Sequence, residues 1–354
     1  MILSPAKSHR SAFSLIELMV AMGILTILML MLTVLLDQIQ RSWRFSESRI
    51  SQFREARVAF DLMAKNIGQG SLNTYWDMVL TKEGDIEKYA PTSELHFITL
   101  NDISGALPAT ATQRPIGHAV FFQAPLGFST QYRNLNNLFN ARGYFVSFGS
   151  DKRFKPSFVD SPDRYRFRLM EFRPPAESNQ VFQDGKDERE AGQDQKFDQW
   201  YKQALSVGEG DFESHLNPLA ENILTIIISP RDSLEDAGSS RNQNFSTIAP
   251  NYSYDSNDPN RLKDPNDEFS SFTQQVPPLI RLTMVAIDET AAVQNASGAT
   301  MPKELVGSLG TLFRQTQNFA QDIETLSREL DEKKVNHKVF STMVLLRSAK
   351  WTGR

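Results

Sequence analysis

The sequence contains no cysteine. That excludes disulfides, Cys-ligated zinc and thiol catalysis, so an exported domain must rely on its core and its sheet hydrogen bonds. Histidine is sparse. His9, His96, His118, His215 and His337 are scattered, without HExxH or paired ligand spacing, and each reads as a structural or surface residue. A GxSxG elbow and a GxxxxGK[ST] phosphate loop are both missing. These absences point away from an enzyme and leave no residue set for a cofactor. Charge excess is missing too: 38 basic against 42 acidic residues give a net −4, which disfavours a general nucleic-acid binder. At 354 residues the chain has room for one large or two modest domains, and it carries no internal repeat.

What the sequence does have is one long apolar run, Ser11–Leu36. Its one carboxylate, Glu17, stands close to the start, and from Phe13 onward the other polar side chains are Ser14, Thr26 and Thr33. As a helix the run spans roughly 36 Å, enough to cross a ~30 Å hydrocarbon core. An acidic residue costs about 2.5–3.5 kcal/mol mid-membrane and less near an end, so Glu17 calls for a cationic partner. A secretory signal would have a shorter core and a cleavage site after it. A plain anchor explains the length but not Glu17. Orientation is not set by flanking charge, because Arg41 and Arg44 follow the run as Lys7 and Arg10 precede it.

The stretch Met1–Ala12 is short, basic and free of acids, and FSLIELMV (Phe13–Val20) follows it. In leader, junction, acid position and apolar run, this resembles the type IV pilin and pseudopilin family. The resemblance implies a leader over residues 1–12, cut by prepilin peptidase between Ala12 and Phe13, with N-methylation of the new Phe13 amine. Glu17 then becomes the fifth mature residue and meets the Phe13 ammonium of an adjacent subunit, while Gly23 allows neighbouring helices to approach closely. The chain departs from the family pattern in having Ala12 where Gly is usual and Val34 where a mid-helix proline is often found.

Beyond the membrane or fibre-core helix over 13–36, an amphipathic extension is expected over 37–68. Ile39, Trp43, Ile50, Phe53, Phe60 and Ile67 recur at alternating four-three spacing, with Ser46, Arg57 and Ala64 filling the gaps. Gly68-Gln69-Gly70 should stop it. Residues 69–354 then read as an α+β domain with an antiparallel sheet. Strands are expected at Leu95–Leu100, His118–Phe122, Gly143–Phe148, Leu219–Ile228, Leu279–Asp288 and Lys338–Arg347. Tyr165–Leu169 alternates apolar and basic residues, as a half-exposed strand does, a simpler reading than a single-stranded nucleic-acid platform. Leu305, Leu309, Leu312, Phe319, Ile323, Leu326 and Leu330 space a late amphipathic helix, with Gly307-Ser308-Leu309-Gly310 as a small-residue start. Mobile insertions are expected near 176–202 and 229–277. In the second, Asp255, Asn257, Asp258, Asp264, Asn266, Asp267 and Glu268 supply hard oxygens, but Pro259 and Pro265 favour solvated turns over a calcium cage.

The second half extends the likeness. LAENI (219–223), PPLIRLTMVAIDE (277–289) and FSTMVLLRSAKW (340–351) resemble the J-type minor pseudopilins of type II secretion and, more closely, the prepilin-like "Verru_Chthon cassette protein C" family. Residues 71–215 have no counterpart in that resemblance. The expectation is a pilin-like, non-enzymatic subunit of a type II secretion or type IV pilus-like assembly. It would be single-pass in the inner membrane with its domain in the periplasm, and would partner prepilin peptidase and sister pilin or pseudopilin subunits, not nucleic acid. The alternative is a membrane-anchored binding protein or adhesin that does not polymerise.

Overall fold

The computed structural model describes residues 15–81, 84–105, 113–135, 137–156, 158–182, 200–202, 215–231, 248–258, 274–295, 298 and 300–349. The chain divides into two units, residues 1–51 and 52–354. A single helix, α1 (Leu15–Ile67), runs through the boundary between them. It is rich in Leu, Met, Ala, Arg and Glu, all good helix formers, and holds one glycine and no proline. It stops before Gly68, whose amide bonds Ala64 O at 3.0 Å, and Gly70 N–H then turns back to Ile67 O.

Within the second unit, Ala56, Ala59, Phe60, Met63 and Ile67 are buried, with Phe53 packed beside them. This is the three-four spacing of one helical face. Arg57, expected on that stripe, is instead exposed and pairs with Asp61 at 3.0 Å. The face lies against two antiparallel sheets. The larger has the order β7–β6–β5–β4–β3–β9, made of β3 (Ile98–Leu100), β4 (Gln113–Pro125), β5 (Phe139–Ser150), β6 (Tyr165–Phe172), β7 (Leu216–Glu221) and β9 (Tyr254–Asp255). The smaller has the order β11–β10–β8, made of β8 (Ile223–Arg231), β10 (Leu279–Ile287) and β11 (His337–Leu345). Neighbouring residues on the large sheet point to opposite sides and both sides are packed. Phe122, Tyr144 and Val146 join the core under α1 and the small sheet. Phe121, Phe145, Met170 and Phe172 join a second core with Val181, Trp200 and Tyr201. Gly143 makes this second core possible. It lies opposite Phe121 in the β4–β5 register, and a Cβ there would overlap the edge of the Phe121 ring.

The end of α1 is tied to the sheet by a polar chain. Asn66 Nδ2 donates to Tyr144 Oη at 2.7 Å, Tyr144 Oη donates to Glu171 Oε1 at 2.9 Å, and Arg142 lies 3.3 Å from the same oxygen. Burial, reinforced by the Glu171 charge, pushes the Tyr144 phenol up, so it stays a donor.

Several expectations need correction. The run 219–228 is not one strand. Asn222 takes φ 59°, which ends β7 and starts β8 in the other sheet, and its Nδ2 donates to Glu289 Oε2 at 2.7 Å. The strand β6 is buried rather than half-exposed. Its arginines lie under cover because acids from distant segments reach them: Arg166 pairs with Glu289 at 2.8 Å and Arg168 with Glu221 at 3.1 Å. The late helix is broken. A short α3 (Lys303–Val306) follows α2 (Glu289–Asn295), turns run through Gly307–Gly310, Phe313 takes φ 57°, and only α4 (Phe319–Glu332) is long. Leu305, in α3, is nevertheless buried, and Leu309 and Leu312 are half-buried in the turns that follow it.

The insertion near 229–277 is partly built into the fold. Ile248, Ala249, Tyr252 and Tyr254 are buried, and β9 pairs with β3 at the edge of the large sheet. In the insertion near 176–202, Val181, Trp200 and Tyr201 are core residues, while 183–199 lie outside the described residues. A hairpin of β1 (Tyr75–Leu80) and β2 (Ile86–Thr92) went unforeseen.

Candidate functional site

The site is built on the first half of α1. From Leu15 to Trp43 the helix is long and apolar enough to cross a membrane, and its side chains are exposed. These 29 residues extend about 43 Å, the thickness of a bilayer with its interfaces. Nineteen large apolar side chains between those ends are more than a third exposed. At about 1.5–3 kcal/mol each, leaving them in water would cost on the order of 30–60 kcal/mol. That exceeds the roughly 5–15 kcal/mol stability of a whole domain, so lipid or other helices must cover the segment.

Polar groups along it are accommodated in ways that suit an apolar surrounding. Thr26 Oγ1 donates to Met22 O and Thr33 Oγ1 to Met29 O, both at 2.8 Å, so neither hydroxyl needs water. Asp37 and Arg41 pair at 2.6 Å, one turn apart, where the run gives way to polar sequence. Glu17 sits in the first turn and is exposed. At 100° per residue it shares a face with Ala21, Ile24, Leu28 and Leu35, whereas Gly23, Thr26 and Thr33 lie toward the other side. An added Cβ on Gly23 would meet nothing within 4 Å, so its surface is open to a close neighbour. Ala12 and Phe13 lie outside the described residues. The arrangement is therefore a lipid- and helix-compatible rod with a carboxylate at one end. Its polar fittings were not singled out from the sequence, although a Thr four residues after an available carbonyl is the signal for them.

Residues 7–33 match the family model described as the prokaryotic N-terminal methylation motif. No curated protein and no solved structure matches the chain. The match spans the junction, Glu17 and most of the apolar run. It makes the N-terminus type IV pilin-like, implies prepilin peptidase processing and assembly with other pilin subunits, and fits a membrane-anchored protein.

The other residues considered for chemistry are placed elsewhere. His96 is buried; Trp200 Nε1–H donates to its Nδ1 at 3.0 Å, which leaves Nε2–H to donate to Asp255 Oδ1 at 2.7 Å. His118 is buried between Phe313 O and Ile228 N–H, and burial pulls it down to about 4. His215 stands at the entry to β7, and His337 Nδ1 lies 3.7 Å from Asp331. Asp255 and Asn257 belong to the β9 edge, with Asn257 N–H bonded to Asp255 Oδ1 at 2.8 Å. Asp264, Asn266, Asp267 and Glu268 lie outside the described residues. Among the described residues no group of His, Asp and Glu could hold a metal ion.

Proposed function

We propose that this chain is a non-enzymatic minor pseudopilin-like subunit of a type II secretion or type IV pilus-like assembly. On this reading prepilin peptidase cuts between Ala12 and Phe13, the Phe13 amine is methylated, and the helix carries the protein from the inner membrane into a fibre. The domain, residues 69–354, lies in the periplasm, and 37–68 joins it to the membrane segment. The observation that carries the reading is a methylation motif lying on an exposed apolar helix whose first turn holds a carboxylate. Glu17 accepts the Phe13 ammonium of an adjacent subunit, which offsets the cost of a carboxylate in lipid and sets register. The likeness of LAENI, PPLIRLTMVAIDE and FSTMVLLRSAKW to J-type minor pseudopilins and to the Verru_Chthon cassette protein C family supports a minor subunit. Size supports a cap or initiator, since each repeat of a thin shaft must fit beside its neighbours.

A second reading, an anchored binding protein that never polymerises, is favoured by one observation. The β1–β2 register puts Trp76 and Met78 on one face with Tyr89 and Pro91, and Trp76, Met78 and Tyr89 are each more than half exposed.

One experiment separates the two. The chain has no cysteine, so Gly23→Cys gives a unique thiol for attaching a photocrosslinker that captures neighbouring helices of sister subunits in membranes. Truncating one member of a buried pair costs about 3–5 kcal/mol, or roughly two to three and a half decades in association. Added to Gly23→Cys, Glu17→Ala should leave membrane insertion intact and lower crosslinking by about that factor, whereas Leu18→Ala should be mild. Equal crosslinking with and without Glu17→Ala at matched membrane levels would favour the anchored binder.

A further inference from the structure

The charge-free part of α1 is matched to a bilayer at both ends. Glu17 and Asp37 bracket it, and no charged residue stands between them. At about 1.5 Å per residue the rise from one to the other is about 30 Å, the thickness of the hydrocarbon core. A chain resting in a membrane can therefore hold Glu17 at one headgroup layer and Asp37 at the other, with neither carboxylate in hydrocarbon. Asp37 is also paired with Arg41 at 2.6 Å, and a net-neutral pair suits the edge of the core.

Just beyond that pair stands Trp43. It is the first aromatic residue of α1, and it is 76% exposed. An indole has an apolar body and one N–H at its tip, which is the chemistry favoured where acyl chains meet headgroups. The rise from Glu17 to Trp43 is about 39 Å, just inside the ~40–45 Å of a bilayer with its polar layers. Trp43 also points away from the side where a helix could pack. At 100° per residue it lies roughly 160° round the helix from Gly23, whose surface is open to a close neighbour. A helix seated on Gly23 thus leaves Trp43 toward lipid.

We propose that Trp43 anchors α1 in the phospholipid headgroup layer on the domain side of the membrane. Its ring lies at the level of the glycerol, and its indole N–H donates to ester or phosphate oxygens of the lipid. Trp43 and Glu17 together then set the resting depth of the helix. One turn of outward movement, about 5.4 Å, would lift Trp43 into water and draw Glu17 into hydrocarbon. Departure from the membrane is therefore opposed until Glu17 meets a cation. Only this last step rests on the subunit reading above, where that cation is the Phe13 ammonium of a neighbour; the anchor itself needs no more than the span.

The test uses the full chain, purified and reconstituted without other subunits in phosphatidylcholine vesicles. Part of the lipid is spin-labelled at the headgroup, beside the glycerol or near the end of the acyl chain. The Trp43 signal is the fluorescence difference between wild type and Trp43→Phe, which cancels Trp76, Trp200 and Trp351. The expected result is strongest quenching by the glycerol-level label, at least about threefold above the chain-end label. Strongest quenching by the chain-end label overturns the placement. Quenching by aqueous iodide, with little from any lipid label, puts Trp43 in water and overturns it as well. Quenching by none of them means that protein covers the ring, which overturns lipid as its occupant. A second measurement checks the other end of the helix. With no native cysteine, Ile16→Cys and Leu28→Cys each carry one thiol, probed in membranes with a maleimide that does not cross the bilayer. Ile16→Cys should react from one side at least about tenfold faster than Leu28→Cys does from either. Equal protection would put Glu17 in hydrocarbon and overturn the resting depth. None of these readouts depends on photocapture at Gly23→Cys, so the anchor and the subunit reading stand or fall separately.

Discussion

Acid should unfold the second unit earlier than its carboxylates alone would require, and His118 supplies the reason. The ring is 4% exposed, its Nε2–H donates to Phe313 O at 3.1 Å, and its Nδ1 accepts from Ile228 N–H at 3.3 Å. Burial is the largest influence and holds the group at about 4 rather than 6.5; the nearby Arg314 opposes the charged form and Asp102 favours it. A proton on Nδ1 would also set two donors face to face. Between those two values the unfolded chain binds a proton that the folded chain refuses, so stability falls as the pH drops from about 6.5 to about 4. A shift of that size corresponds to about 3 kcal/mol, a large share of the roughly 5–15 kcal/mol available to a domain. Urea denaturation of the detergent-solubilised chain at pH 7, 6, 5 and 4, followed by tryptophan fluorescence, measures it; Trp200 is buried and reports on the second core. His118→Gln should be less stable at pH 7 yet flatter, so its deficit shrinks by about 3 kcal/mol at pH 4 while carboxylate contributions cancel in the difference. Parallel curves for the two proteins would refute the reasoning.

Gly143→Ala should destabilise by about 1–3 kcal/mol or more, because the added methyl collides with Phe121; pairing it with Phe121→Leu should recover part of the loss, as urea midpoints would show. Glu221→Ala leaves the Arg168 guanidinium with Gly149 O and Arg164 O as acceptors. Glu221 is itself 39% exposed, so the loss should be about 1–2 kcal/mol rather than the ~3–5 kcal/mol of a fully buried pair, read from the same denaturation curves.

The parts of this fold that could be read from sequence are those whose signal is local. The apolar run and its single acid mark α1 without reference to anything distant, and Ile280, Leu282 and Met284 mark β10 in the same way. The failures have distant causes. Arg166 and Arg168 look solvent-facing until Glu289 arrives from α2 and Glu221 from β7. Leu219–Ile228 looks like one strand because the left-handed turn at Asn222 is tolerated by Asn and hidden by its apolar neighbours. The hairpin of β1 and β2 was missed because Pro91 and scattered charges dilute its pattern, although Gly84-Asp85 was a turn signal. The candidate site divides the same way. Glu17 stands out against apolar sequence, whereas a cleft lined by Asp102, Gly117, Thr225, Leu309 and Arg314 is assembled from separate stretches of chain and has no linear trace.

The central claim is that the chain enters an assembly as a processed, methylated subunit. Mass spectrometry of the membrane-extracted protein tests it most directly. The account predicts a mature N-terminus at Phe13 carrying one methyl group on its amine. An intact Met1, or a cut beyond Leu36, would contradict it.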